Sequence, residues 1–197
     1  KTAIRTAMTT AWSVTTAPAS EPVSTADAKT YLNVTHSIHD TLIANQVSAA
    51  RAWYEGYTGT AVITQSITQI WDYTPENACF ELAVGPVTGT PVVSYKDTAG
   101  AYQTWASSNY TLDTVSDPAR IVKISTSGWP TIGCFPAVWK IVYSAGYASA
   151  ATVPEDTINA ILMMTAFFYE NREDLPINSV FFRSAERLAF QRKRLMF

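Results

Sequence analysis

Apolar residues recur at Ile43, Val47, Ala50, Tyr54 and Tyr57, spaced 4, 3, 4 and 3. That spacing predicts one face of a long amphipathic helix. Gly59 stands where a left-handed residue would end it. Ser37 to Asp40 is a capping pattern for its start, repeating an earlier one at Ser24-Thr25-Ala26-Asp27 that opens a short helix through Leu32. From residue 61 the period changes. AVITQSITQIWDY is β-branched and aromatic, with Ile63, Ile67, Trp71 and Tyr73 on one alternating face. Phe80, Leu82 and Val84 alternate next. Val92–Lys96 and Tyr102–Trp105 flank the turn residues Asp97 to Gly100, and Tyr110–Asp113 and Arg120–Ile124 flank Ser116-Asp117-Pro118. A last strand is predicted over Ala137–Tyr143, closing at Gly146.

The run Thr157 to Tyr169, TINAILMMTAFFY, returns to the helical period. Pro154 suits a helix start, and Glu155 and Asp156 suit its first turn. Ile158, Ile161, Leu162, Phe168 and Tyr169 follow helical spacing, but Met163, Met164 and Phe167 fill the other faces. A helix apolar all round must be covered all round. It reads as a core helix whose remaining face, Met163, Met164 and Phe167, meets a neighbouring subunit. Ser184 to Phe197 predicts a final amphipathic helix. Residues 1–20 are Thr- and Ala-rich, with Trp12 and Val14 as anchors, and read as a loose start running into an edge strand. Helices, then a block of antiparallel strands, then a buried helix and a tail define an α+β fold. The expected division is a flexible extension over 1–11, a core domain over 12–176 and a C-terminal arm over 177–197.

Composition sharpens this picture at two points. Only 15% of the 197 residues are charged, so Thr, Ser, Ala and aromatic side chains carry much of the surface, as at interfaces. The net charge of −2 also hides an asymmetry. Residues 178–197 hold five basic residues against Glu186, a balance of 5 − 1 = +4, leaving −6 for the rest. A basic tail on an acidic body points to an acidic docking partner. Cys79 and Cys134 lack metal-ligand spacing and read as buried free thiols, with a disulfide left open. No run is long enough to span a membrane. The N-terminal KTAIRTAMTTAW lacks the apolar core of a signal peptide. The expectation is a soluble protein of a reducing cytoplasm, or of a particle assembled there.

The search for chemistry returns little. GxxxxGK[ST], GxGxxG, GxSxG and HExxH are all missing. His36 and His39 stand three apart beside Asp40, a pair without a third ligand, so no metal and no cofactor is expected. Glu170, Glu173 and Asp174 read as a solvated or salt-bridged helix end. A small hydrolase would have to use Glu170 or His36. A carbohydrate- or nucleic-acid-binding module would use Trp105 and Trp129 as an exposed platform, with Arg192-Lys193-Arg194 beside it.

Beyond these patterns the chain resembles a known family. Glu21-Pro22-Val23-Ser24-Thr25-Ala26-Asp27-Ala28-Lys29 is similar to the "EPVSLAEAK" opening of phage head–tail connector proteins, the adaptor or head-completion proteins of long-tailed phages. Asp40-Thr41-Leu42-Ile43 and Ala49-Ala50-Arg51 resemble the family's second helix. Tyr57 to Gln65 resembles its "YTGRALITQ" junction. Ala145-Gly146-Tyr147 with Val153-Pro154 resembles its entry to the last core helix, and Tyr169 to Glu173 its helix end. The likeness covers about residues 12–175; residues 1–11 lie outside it.

The resemblance implies a structural protein and not an enzyme. Its subunits would self-associate into a twelve-fold ring beneath the portal protein. The ring would extend the channel for double-stranded DNA, without sequence-specific binding, and present a platform to a stopper or tail-completion protein. The location implied is the virion, assembled in the host cytoplasm, with no membrane partner. The expected portal-docking residues are Phe181, Phe182, Arg183, Arg187, Leu188, Arg192 and Arg194.

Overall fold

The computed structural model describes residues 10–171 and 180–194, with mixed helix and antiparallel sheet, an α+β fold. These residues divide into two compact units that interleave in the sequence. Residues 10–17 and 65–145 form a strand unit; residues 18–64, 146–171 and 180–194 form a helical unit. Among the described residues no helix is long and apolar enough to cross a membrane.

The strand unit contains β1 (Thr10–Thr16), β2 (Gln65–Trp71), β3 (Cys79–Glu81), β4 (Val87–Lys96), β5 (Tyr102–Thr104), β6 (Tyr110–Asp113), β7 (Arg120–Lys123) and β8 (Trp139–Ala145). Five strands form one antiparallel sheet in the order β1-β2-β8-β4-β5, and three form another, β3-β7-β6. The central strands β2 and β8 alternate strictly between buried and half-buried positions. Their registered pairs Ile67–Tyr143, Gln69–Ile141 and Trp71–Trp139 put one row into the core. Gln69 is polar, yet buried there, because both ends of its amide are hydrogen-bonded. It donates to the Glu81 carbonyl at 3.1 Å and accepts from the Ala83 N–H at 3.0 Å and the Tyr143 hydroxyl at 3.3 Å. One side chain thus satisfies backbone groups of the segment leaving β3 that the ladders do not reach. Around it Trp71, Phe80, Trp105, Trp129 and Trp139 pack edge to face and offset, with centroids 5.1 to 5.9 Å apart.

The helical unit contains α1 (Thr25–Leu32), α2 (Asp40–Thr58), α3 (Glu155–Glu170) and α4 (Val180–Phe190). Ser24 caps α1, its hydroxyl accepting the Asp27 N–H at 3.1 Å, and Asn33 ends it at φ 55°. Ser37 does not cap α2 as the pattern suggested. His39 occupies that position without a side-chain cap, and the Asp40 carboxylate instead takes the Lys29 ammonium at 2.6 Å. Gly59 ends α2 at φ 70°, its N–H on the Glu55 carbonyl. Pro154 is the residue before α3, one position earlier than its expected place inside the helix. Helix α4 starts at Val180, earlier than the predicted Ser184. Leu195, at the far end of that predicted helix, lies outside the described residues, as do residues 1–9 of the expected extension.

The core of this unit joins Ile43, Val47, Ala50 and Tyr54 of α2, Ala160, Ile161, Met164 and Phe167 of α3, and Ala185 and Ala189 of α4. A charged clamp holds its edge. The Arg51 guanidinium reaches Glu21 at 2.6 Å and Glu55 at 2.7 Å, and Glu55 also accepts the Val62 N–H at 2.9 Å. Burial pushes the Glu55 carboxyl above its ordinary value, against the pull of the Val62 N–H and of Arg51. Near it, Ile63 and Tyr147 form a parallel bridge beside Gly146, which has φ 115°. A Cβ on Gly146 would sit 2.5 Å from the Ile63 carbonyl carbon and oxygen.

Two outcomes follow for stability. Arg51→Ala leaves two carboxylates without their cation and is expected to cost about 2–4 kcal/mol in urea unfolding; a loss below about 0.5 kcal/mol would show the clamp to be idle. Gly146→Ala combines a strained φ with a backbone clash, and its expected cost is about 2–4 kcal/mol, read as a lowered melting temperature.

Candidate functional site

Helix α4 has two unlike faces, set by its spacing. Phe182, Ala185 and Ala189 turn inward. Both alanines are fully buried, and the Phe182 ring lies 5.6 Å from Phe167 and 5.9 Å from Trp53. Small residues let the α4 backbone approach its neighbours, as close helix packing requires. Outward, at i, i+3, i+7 and i+10, stand Val180, Arg183, Arg187 and Phe190. Val180 is 79% and Phe190 61% exposed, and both arginines are exposed between them.

The chain beyond α4 is tied down by three contacts. Arg192 grips the Asp156 carboxylate at 2.8 and 3.3 Å, at the start of α3. The Arg194 N–H donates to the Thr58 carbonyl at 2.9 Å, satisfying an end group of α2. The Lys193 ammonium lies 4.7 Å over the Tyr57 ring. Partial burial works against ionisation of Asp156, but the Arg192 hydrogen bonds and charge outweigh it and hold the carboxyl below its ordinary value.

These placements sort the expected docking residues. Phe182 and Leu188 pack against their own core, and Arg192 is paired within the unit. Arg183 and Arg187 remain on the open face. The Phe181 side chain lies outside the described residues, as do Met196 and Phe197. The expected arm over 177–197 is, across 180–194, a packed part of the helical unit. Its inward alanines gave the signal, because small residues at Ala185 and Ala189 mark a close helix contact. The expected interface residues also divide. Met164 and Phe167 are buried inside the helical unit, whereas Met163 is half-buried.

The catalytic candidates lie at the start of α2 and the end of α3. His36 and His39 meet edge to face at 4.7 Å, and His39 Nδ1 lies 2.6 Å from the Tyr169 hydroxyl. Glu170 is exposed at the end of α3, and Glu173 and Asp174 lie outside the described residues. No group of three or more His, Cys, Asp or Glu that could hold a metal occurs among the described residues. Trp105 is only 5% exposed and stacks on Trp129 at 5.2 Å within the aromatic core, so the pair is not an open platform. Both cysteines are free thiols. Cys134 is exposed and Cys79 half-buried, so the expectation of two buried thiols does not hold. The reason is local: Cys134 sits in the irregular segment before β8, where nothing covers it.

No family model and no curated protein matches the sequence. Solved structures match its fold. A chain from the neck of an empty gene transfer agent particle, computed with C6 symmetry, superposes with a TM-score of 0.78 at 20% identity, covering 95% of this chain and 97% of that one. A chain from the neck of the native particle, computed with C12 symmetry, gives 0.76 at 21% identity over 95% and 97%. A chain from the virion of the native particle gives 0.74 at 21% identity over 94% and 96%. The protein therefore has the fold of chains found in the necks of phage-like particles.

The tie between Arg192 and Asp156 has a pH signature. A carboxyl held below its ordinary value contributes stability above its unfolded pKa and loses it as pH falls through the folded one. Arg192→Ala is expected to lower the melting temperature near neutral pH, and the gap to the parent should close in acid. A gap that persists undiminished in acid would assign the effect to packing.

Proposed function

We propose that this chain is a structural subunit of a virion neck, a head–tail adaptor that assembles as a ring and is not an enzyme. The observation that carries this reading is the fold shared over 95% of the chain with a neck chain of a gene transfer agent particle. The order of family-like segments from Glu21 to Glu173 supports it independently.

In this reading the ring has twelve copies, lies beneath the portal and hands DNA on to a stopper or tail-completion protein. The negative net charge favours passage, since binding to phosphate is driven by Lys and Arg. The portal-docking surface is the outward face of α4, where Arg183 and Arg187 stand between Val180 and Phe190. Arginines in such a setting pair with carboxylates on a partner. Met163 belongs to the lateral contact between subunits, with Met164 and Phe167 supporting it from within.

Deleting residues 177–197 would remove Ala185 and Ala189 from the core, so it confuses docking with folding. Charge reversal separates the two. The variant Arg187→Glu is expected to keep its melting temperature and to bind the portal protein of the same particle at least about tenfold more weakly, measured by co-sedimentation. Unchanged binding would remove the docking role from α4, and failure of the parent chain to bind portal at all would overturn the adaptor reading.

A further inference from the structure

Among the described residues the five-stranded sheet has two open edges, and they differ. On one side β1 pairs with β2 alone. Its sequence, TAWSVTT, carries no charge and no proline, the devices that usually blunt an edge strand. One register shift, between Val14 and Thr16, is its single irregularity. Alternate backbone groups of an antiparallel edge strand point away from its partner and need another one.

The side chains say the same. Trp12 pairs in register with Gln69 and Val14 with Ile67. Those β2 residues are 3% and 0% exposed and face the core of the strand unit. Trp12 and Val14 lie on that same face, since registered partners share a side of the sheet, yet they are 47% and 44% exposed. The apolar row of the core therefore continues past the last covered strand.

At the opposite side β5, Tyr102-Gln103-Thr104, pairs only with β4, is exposed at all three residues and is also uncharged. Every neighbouring pair from β1 to β5 is antiparallel. Four reversals leave β1 and β5 running in the same direction. Copies related by rotation alone can therefore set β5 of one beside β1 of the next as a parallel pair. Two unlike surfaces that join head to tail close into a ring when the rotation allows. A second copy of this chain brings both halves of that contact.

We infer that the free edge of β1, with Trp12 and Val14, receives the β5 edge of a second copy, so that neighbouring sheets continue into one another. The inference rests on the ring reading above and adds to it the surface that closes the ring. Trp12 becomes the anchor of the contact, a large aromatic at its centre.

The experiment uses the full chain with Cys79→Ser and Cys134→Ser. Native mass spectrometry over a concentration series measures self-association of this parent and of Trp12→Lys and Val14→Lys. Both substitutions fall on exposed edge positions, and circular dichroism checks that each variant keeps the fold. The second arm places cysteines pairwise, Thr104→Cys with each of Ala11→Cys, Ser13→Cys and Thr15→Cys, under mild oxidation. The expected results are a closed oligomer in the parent, association at least tenfold weaker in Trp12→Lys, and an intermolecular disulfide ladder for at least one pair. Oligomers that persist in Trp12→Lys with no ladder overturn the edge contact and leave the ring reading standing. A parent that stays monomeric at every concentration, without ladders, also overturns it.

Discussion

Hiding helix α3 is the constraint on which the helical unit depends. Its sixteen residues carry apolar side chains around nearly the whole circumference, and a sheet or a single helix covers only one side of such a cylinder. The fold resolves this with three helices. α2 supplies Ile43, Val47, Ala50 and Tyr54, α4 supplies Phe182, Ala185 and Ala189, and α1 adds Ala28. What stays accessible is the exposed polar residues Glu155, Asn159 and Glu170 and a half-buried apolar set that includes Ile158, Leu162 and Met163. Coverage that a neighbouring subunit was expected to provide comes largely from the chain itself.

That solution decides what the C-terminal segment can offer. Because α4 is needed on α3, its inward residues are committed to packing, and only the opposite stripe can meet a partner. Arg192 on Asp156 and the Arg194 N–H on Thr58 then hold the end of the segment against the beginning of α3 and the end of α2. The basic character seen in the sequence splits accordingly, with Arg192 neutralising the Asp156 carboxylate inside the unit and Arg187 exposed on the outer face. A rigid helix presenting two arginines loses less freedom on docking than a loose arm would.

The helical stripe from Ile43 to Tyr54, the Ser24 cap, the Gly59 stop and both hairpin turns were legible because each rests on local rules of period and backbone preference. The resemblance to head–tail connectors pointed to the fold that the neck structures share. Other features were hidden because they depend on partners distant in sequence. Gln69 looks like a solvent-facing residue until Glu81, Ala83 and Tyr143 arrive to use its amide. Trp105 looks like a free platform until Trp129 and Trp139 close on it. Ser37 fits a capping pattern, but Lys29 draws Asp40 into an ion pair and His39 takes the position. The two-unit organisation was equally hidden, since residues 18–64 meet residues 146–171 and 180–194 only after the whole strand block has been passed over. For the outer face of α4, Arg183 and Arg187 were named from charge, while the flanking Val180 and Phe190 emerged only when α4 was seen to begin at Val180.

The central claim is that this chain is a ring-forming subunit of a virion neck. Electron microscopy of the purified chain mixed with the portal protein of its own particle tests it most directly. The expected image is of portal rings capped on one face by a further ring of twelve copies. Portal rings left bare at saturating concentration, with the chain dispersed as monomers, would contradict it.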